Sequence, residues 1–274
     1  MNVCSSANIL GQYDYVVRLR PPFISPATLL SQRRQVTGSG SATPLPGADH
    51  PFLDGIEAIC GEYRRLDDRA GLFNRIYECI RTNWIRFREA ERWPSSANWV
   101  LRVALNFTHE PAKRLERQLQ KQIAVCLENQ GWGNDVPAAS GLVDSRGRHI
   151  NVDLAHRIED GFELVELKVD ADDPYKAACQ IARYGATCMV YRLDTELRMR
   201  FRGNAMIRAK RIVLEVLAPY RYYSHSDVDL PTLERQLDAQ VSAFAATYCA
   251  GVSLSFRFRA LPQSFVYQPV WTAS

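Results

Sequence analysis

The segment Arg148–Val169, RHINVDLAHRIEDGFELVELKV, constrains the fold of this chain more than any other stretch. Ile150, Val152 and Leu154 alternate with Asn151, Asp153 and Ala155, and Val165, Leu167 and Val169 alternate with Leu164, Glu166 and Lys168. A period of two marks a strand with one apolar face. Asp160-Gly161 between the runs is a hairpin dipeptide, because glycine accepts the positive φ of a tight primed turn. A turn centred there sets Asp153 opposite Lys168, Ala155 opposite Glu166 and Leu154 opposite Leu167. Asp153 and Glu166 then become diagonal neighbours, roughly 7–8 Å apart at the backbone, close enough for both carboxylates to reach one divalent cation. A slip of one residue would destroy this agreement by turning every side chain to the other face.

The rest of the chain supplies helices and further strands. Leu53, Ile56, Ile59, Tyr63 and Leu66 fall on one helical face, Gly71 breaks the pattern, and Leu72, Ile76, Ile80 and Trp84 define a second helix that ends at Trp93-Pro94. Trp99 to Phe107 alternates like a strand. Thr108 caps a helix with Glu110 and Pro111 in its first turn and Leu115, Leu119, Ile123 and Leu127 on its buried stripe, closed by Gly131. Asp172 or Asp173 caps a helix that begins at Pro174 and carries Gln180 and Tyr184 one turn apart. Its small residues Ala177, Ala178 and Ala182 allow close approach to a sheet. Residues 212–217 read as a buried strand, 232–249 as a helix and 252–258 as a last strand. The expected class is therefore α/β (α+β), a central mixed sheet flanked by helices over residues 96–274. An additional, largely helical N-terminal region spans 1–95, and begins with the short apolar segment YDYVVRL and a Ser/Gly/Pro-rich connector at 31–51.

Composition narrows the compartment and the chemistry. With 274 residues, 46% of them hydrophobic, the chain can bury a substantial core. No run approaches 18 apolar residues, and the N-terminus lacks a basic start followed by an apolar segment, so a cytoplasmic protein with no membrane partner is expected. Seven cysteines form no CxxC pair and read as free thiols in a reducing compartment. Neither they nor the five histidines show zinc or iron–sulfur spacing. Lysine occurs only at 113, 121, 168, 176 and 210, so 29 of the 34 basic residues are arginine. Arginine suits bidentate phosphate contact, although genomic codon bias produces the same excess. The densest basic segment carries Arg192, Arg198, Arg200, Arg202, Arg208, Lys210 and Arg211 against Asp194 and Glu196. Arg75, Arg81, Arg86, Arg88 and Arg92 interleave with Trp84 and Phe87, which fits either a nucleic-acid track or a solvated helix face.

From Thr108 onward the order is helix, strand, strand with Asp153, strand with Glu166-Leu167-Lys168, helix with Gln180-xxx-Tyr184, strand. This order resembles the core of the PD-(D/E)xK nuclease superfamily, and the Gln-xxx-Tyr pair resembles the extra motif of its RecB-type branch. The resemblance covers roughly residues 108–218, with Val152 in place of the proline. It implies a restriction-endonuclease-like fold and a metal-dependent deoxyribonuclease in DNA repair or defence, with DNA as partner. In this reading Asp153, Glu166, the Leu167 carbonyl and Glu116 hold Mg²⁺ or Mn²⁺, a choice that suits hard oxygen ligands. Lys168 orients the attacking water or stabilises developing charge, and Gln180 and Tyr184 position the DNA backbone or the lysine–water network.

Blander readings stand beside each residue. Asp153, Glu166 and Lys168 fit an exposed cross-strand charge ladder, and Glu116 a helix-surface charge, with Glu110 and Glu128 as rivals. His149 and His156 have no base or ligand partner at a meaningful spacing and read as structural. The alternatives to a nuclease are an inactive nucleic-acid-binding module and a protein-interaction scaffold on the same fold. Residues 1–95 remain available for a protein partner or for homo-oligomer formation.

Overall fold

The computed structural model describes residues 51–66, 69–103, 115–142, 150–169, 173–224, 226 and 228–261. Along the chain these form α1 (Ile56–Arg64), α2 (Leu72–Glu89), α3 (Leu115–Cys126), β1 (Trp132–Pro137), β2 (Asn151–Ile158) and β3 (Gly161–Leu167), then α4 (Pro174–Leu193), α5 (Thr195–Arg200), α6 (Ala205–Arg208) and β4 (Arg211–Pro219), and finally α7 (Tyr220–Ser224), α8 (Leu230–Tyr248) and β5 (Ser253–Leu261). The strands make one mixed sheet in sequence order. β1, β2 and β3 pair antiparallel, whereas β4 joins β3, and β5 joins β4, in parallel. Parallel neighbours need long crossovers, which α4 to α6 and α7 to α8 provide.

Helices cover both faces, so β3 and most of β4 are buried along their length. The larger core lies between the sheet and α1, α2, α4 and α8. The expected stripe of α2 is the one that fills it, with Leu72, Ile76, Ile80 and Trp84 all fully buried. Phe73 meets Phe244 of α8 edge-on at 5.2 Å. The helical part of region 1–95 thus shares a core with the sheet. On the other face Leu119 and Ile123 of α3, with Leu127 just past its end, cover Trp132, Leu154, Val165 and Leu167. Gly185 lets α4 approach β4, since a Cβ there would lie 2.5 Å from the Leu214 side chain.

The hairpin differs from the sequence expectation. Leu154 faces Val165 and Ile158 faces Gly161, so the turn is Glu159-Asp160 and the register is offset by two residues. Gly161 belongs to β3, where a Cβ would run into the Arg211 backbone carbonyl of the parallel neighbour. Close approach to β4, rather than a positive φ, requires glycine there. Because the offset is an even number, every side chain keeps its face. Lys168 no longer falls opposite Asp153. Extending the ladder one residue past Leu154–Val165 brings Asp153 opposite Glu166 instead of diagonal to it.

Other boundaries also shift. Residues 99–103 are irregular rather than a strand; Trp99 has φ 60°, yet its N–H donates to Pro137 and the Arg102 carbonyl accepts from Asn134, so the segment borders β1. The remainder of that expected strand, Thr108, Glu110, His149, Asp172, the YDYVVRL segment and residues 31–50 lie outside the described residues. The first helix is shorter than its periodicity suggests, and Leu66 is 42% exposed.

Candidate active site

The strand ends nearest α4 gather the acidic residues. Asp153 Oδ2 accepts the Leu167 N–H at 3.0 Å, and the Gln120 side-chain amide of α3 donates to the Asp153 carbonyl. The Lys168 N–H donates to the Leu217 carbonyl at 2.9 Å, which fixes its backbone against β4. Its Nζ lies 2.9 Å from Glu166 Oε1 and 3.5 Å from Glu116 Oε1. Glu166 and Lys168 are 3% and 6% exposed, so they do not form an exposed charge ladder. Glu166 Oε2 is buried without a hydrogen-bond partner.

The electrostatics follow from this crowding. Burial pushes the Asp153 carboxyl well above its ordinary value, and the Glu166 and Glu116 charges add to the rise against Lys168 and the Leu167 N–H. Burial alone would lower the Lys168 ammonium, but Glu166, Asp153 and Glu116 together hold it well above the usual lysine range. Three acidic side chains therefore crowd Lys168.

α4 brings the Gln-xxx-Tyr pair to the same end. Burial pushes the Tyr184 hydroxyl up to about 12, and Glu166 and Asp153 are among the charges it feels. The hydroxyl accepts from Arg183 Nη2 at 3.3 Å, with the guanidinium 5.1 Å from the ring centroid. Gln180 Oε1 is buried without a partner. Burial would lower Arg183, but Tyr184 and Glu166 raise it. Arg183 and Gln120 escaped the sequence reading. Arg183 lies three residues beyond Gln180 on the same helix, a spacing that marks it as a neighbour of the pair.

The donor set consists of hard oxygens, and the unpartnered Glu166 oxygen has room for a cationic partner in its chemistry. Glu116 instead faces Lys168. Among the described residues no group of three or more His, Cys, Asp or Glu side chains is placed to hold a metal ion. Asp153 and Glu166 are the pair that the strands bring together.

The basic segment lies elsewhere. Arg211 pairs with Gly161 at the start of β3, whereas Glu166 stands five residues further along, roughly 17 Å at strand rise. Arg192 is half-buried and donates to the Ala209 carbonyl at 2.5 Å, which is a structural contact. Arg198, Arg200, Arg202, Arg208, Lys210 and Arg211 are exposed. On α2, Trp84 is 1% exposed and Phe87 packs against Phe52, so neither aromatic is free to stack a base.

A second polar network occupies the opposite face of the sheet. His156 Nδ1 lies 2.8 Å from Glu163 Oε2 and its ring stacks on Trp132 at 4.5 Å. Arg257 reaches both Glu163 and Glu215 at 2.6 Å, and Arg259 reaches Glu215 at 2.5 Å. Burial would raise Glu163, but the His156 hydrogen bond and the Arg259 and Arg257 charges draw it down to about 2.

No family model, curated protein or solved structure matches the chain. Among the described residues no helix is long and apolar enough to cross a membrane.

Proposed function

We propose that this chain is a metal-dependent deoxyribonuclease with a restriction-endonuclease-like core, similar to PD-(D/E)xK nucleases of the RecB-type branch. The reading rests chiefly on one observation: Asp153 and Glu166 converge where Asp153 is driven to hold its proton, Glu166 is buried beside Lys168, and one Glu166 oxygen has no hydrogen-bond partner. The order α3, three antiparallel strands, α4, then a parallel strand supports it.

Asp153, Glu166 and the Leu167 carbonyl would hold Mg²⁺ or Mn²⁺, with Glu116 acting through water. Such an ion, when bound, polarises the phosphate and makes a water more acidic. In the absence of the ion the neighbouring carboxylates hold Lys168 protonated, so it would serve as a positive charge against the phosphate oxygens. Gln180 and Tyr184 orient the phosphodiester backbone from α4. Asp153 must release its proton before a cation enters, so metal affinity rises with pH.

Calorimetric titration with Mg²⁺ and Mn²⁺, paired with cleavage of plasmid and linear DNA, tests the reading. Metal-dependent cleavage that disappears in Asp153→Asn is the expected result. Lack of cleavage by the wild type, or full activity in Asp153→Asn, would overturn it. The placement of Glu116 on Lys168 favours, as a second reading, a nucleic-acid-binding module without hydrolysis. That module would bind DNA equally well after Asp153→Asn.

A further inference from the structure

We propose that Arg198, Arg200, Arg202 and Arg208 form an anchor for the phosphate backbone of duplex DNA, set at the end of the sheet remote from Asp153 and Glu166. The inference extends the nuclease reading to its substrate's docking surface, but it concerns binding alone and stands apart from hydrolysis.

The backbone that carries these arginines is pinned while their side chains are exposed. The Asp194 side chain caps α5 by accepting from Glu196 and Leu197 at 3.0 Å, and Leu197 is fully buried beneath it. Asn204 caps α6 and also donates to the Asn98 and Trp99 carbonyls at 3.2 and 3.1 Å. The Arg200 guanidinium lies 5.6 Å from the Trp93 ring centroid, and Arg208 Nη1 donates to the Arg202 carbonyl at 3.4 Å. Arg200 therefore packs on the Trp93 segment that follows α2, and Arg208 reaches back to the Arg202 backbone, so the exposed arginines of the α5–α6 stretch are held close together.

The acidic residues around it are few and largely engaged. Asp194 is spent on the cap, and Asp194 and Glu196 both face Arg88 at 3.5 Å. Glu89 and Glu91 are exposed at the end of α2, and Glu159 and Asp160 border Lys210 and Arg211, so the charge excess is centred on the four arginines.

The aromatic content selects duplex over single strand. Trp93 is covered by Arg200, and Phe201 is 4% exposed and packs on Tyr191. Single-strand binders rely on free aromatic faces for base stacking, and among the described residues this surface offers none. It offers guanidinium groups, which match the dense phosphate charge of a duplex.

Fluorescence anisotropy in EDTA, with a duplex of about 20 base pairs and its isolated strand over a range of salt concentrations, decides the matter. The wild type should bind the duplex more tightly than the strand. Replacing all four arginines by alanine should weaken duplex binding at least ~10-fold and flatten the slope of log K against log salt by about 0.9 for each phosphate that is no longer neutralised. The corresponding four-lysine variant should keep most of the slope, because it keeps the charge. Replacing Arg75 and Arg81 by alanine on α2 should change neither quantity. An unchanged slope in the four-alanine variant, or tighter binding of the single strand, would overturn the proposal. An inert carboxylate centre would leave this binding intact, so the two proposals fail separately.

Discussion

Glu163 and Glu166 stand three residues apart on β3, on opposite faces of the sheet, and both are largely buried. Around Glu163 the protein has placed His156, Arg257 and Arg259, with Glu215 sharing the arginines, and the carboxylate falls to about 2. Around Glu166 it has placed Lys168 and Arg183 against Asp153 and Glu116, and the crowding shows in the upward push on Asp153. Burial is the same cost in both places. In the first cluster two arginines pair with the carboxylates directly, whereas in the second burial and the neighbouring acids leave Asp153 holding a proton, and a cation would act at the second.

Asp153→Asn should separate the two clusters most sharply. It removes one of the proposed ligands and should lower metal-dependent cleavage by ~10³-fold or more, several kcal/mol of transition-state stabilisation. The metal-free protein should unfold at the same or a higher denaturant concentration, because the native state no longer has to hold a proton on a carboxyl that the unfolded chain releases. Cleavage rates and urea unfolding of the same preparation read both. A variant with normal cleavage would make the two carboxylate clusters equivalent.

Glu163→Gln should do the converse. Its depressed pKa stabilises the fold above the ordinary value of 4.5, and that contribution is lost as pH falls from 4.5 to about 2. At neutral pH the substitution should cost about 3 kcal/mol of stability, with cleavage per folded molecule unchanged. The variant should also lose much of the wild type's sensitivity to acid over that window, as urea unfolding at a series of pH values would show.

Metal addition probes the contrast more gently. Mg²⁺ at ~100 times its Kd should stabilise the wild type by about 2.7 kcal/mol and leave Asp153→Asn unmoved. The sign with pH is fixed by the raised Asp153. Native protein keeps a proton that the unfolded chain has released, so metal-free stability falls as pH rises from 3.8 towards the elevated native value. The stabilisation by Mg²⁺ should therefore be larger at about pH 8 than at about pH 5. Thermal unfolding with and without the ion measures it, and a pH-independent shift would place the ion away from Asp153.

What the sequence revealed of these clusters depended on the range of the contacts involved. The stripe of α2, and α4 with its Pro174 start, were legible because helical periodicity and capping are local. The shared face of Asp153 and Glu166 was legible because an even register offset preserves side-chain direction. The register itself was not, since the glycine that decides it answers to the Arg211 carbonyl on a parallel neighbour. A strand was expected between the helix that starts at Thr108 and the Asp153 strand, but its residues were hidden by their composition, WGNDVP, with Asp135 at φ 48° and a terminal proline. The Glu163 network was invisible for a similar reason, as Arg257 is separated from it by 94 residues and no motif links them.

Tyr184→Phe should have the smallest effect, and it locates the boundary of the carboxylate cluster on α4. The ring is buried and its hydroxyl receives one long hydrogen bond from Arg183, so removal should cost about 1 kcal/mol of stability. If the hydroxyl positions the DNA backbone, KM for DNA should rise about fivefold, the same ~1 kcal/mol, while kcat stays within about twofold. A purely structural tyrosine would lower stability and leave both kinetic constants alone. A fall in kcat comparable to that of Asp153→Asn would instead put the hydroxyl among the groups that act on the reacting phosphate.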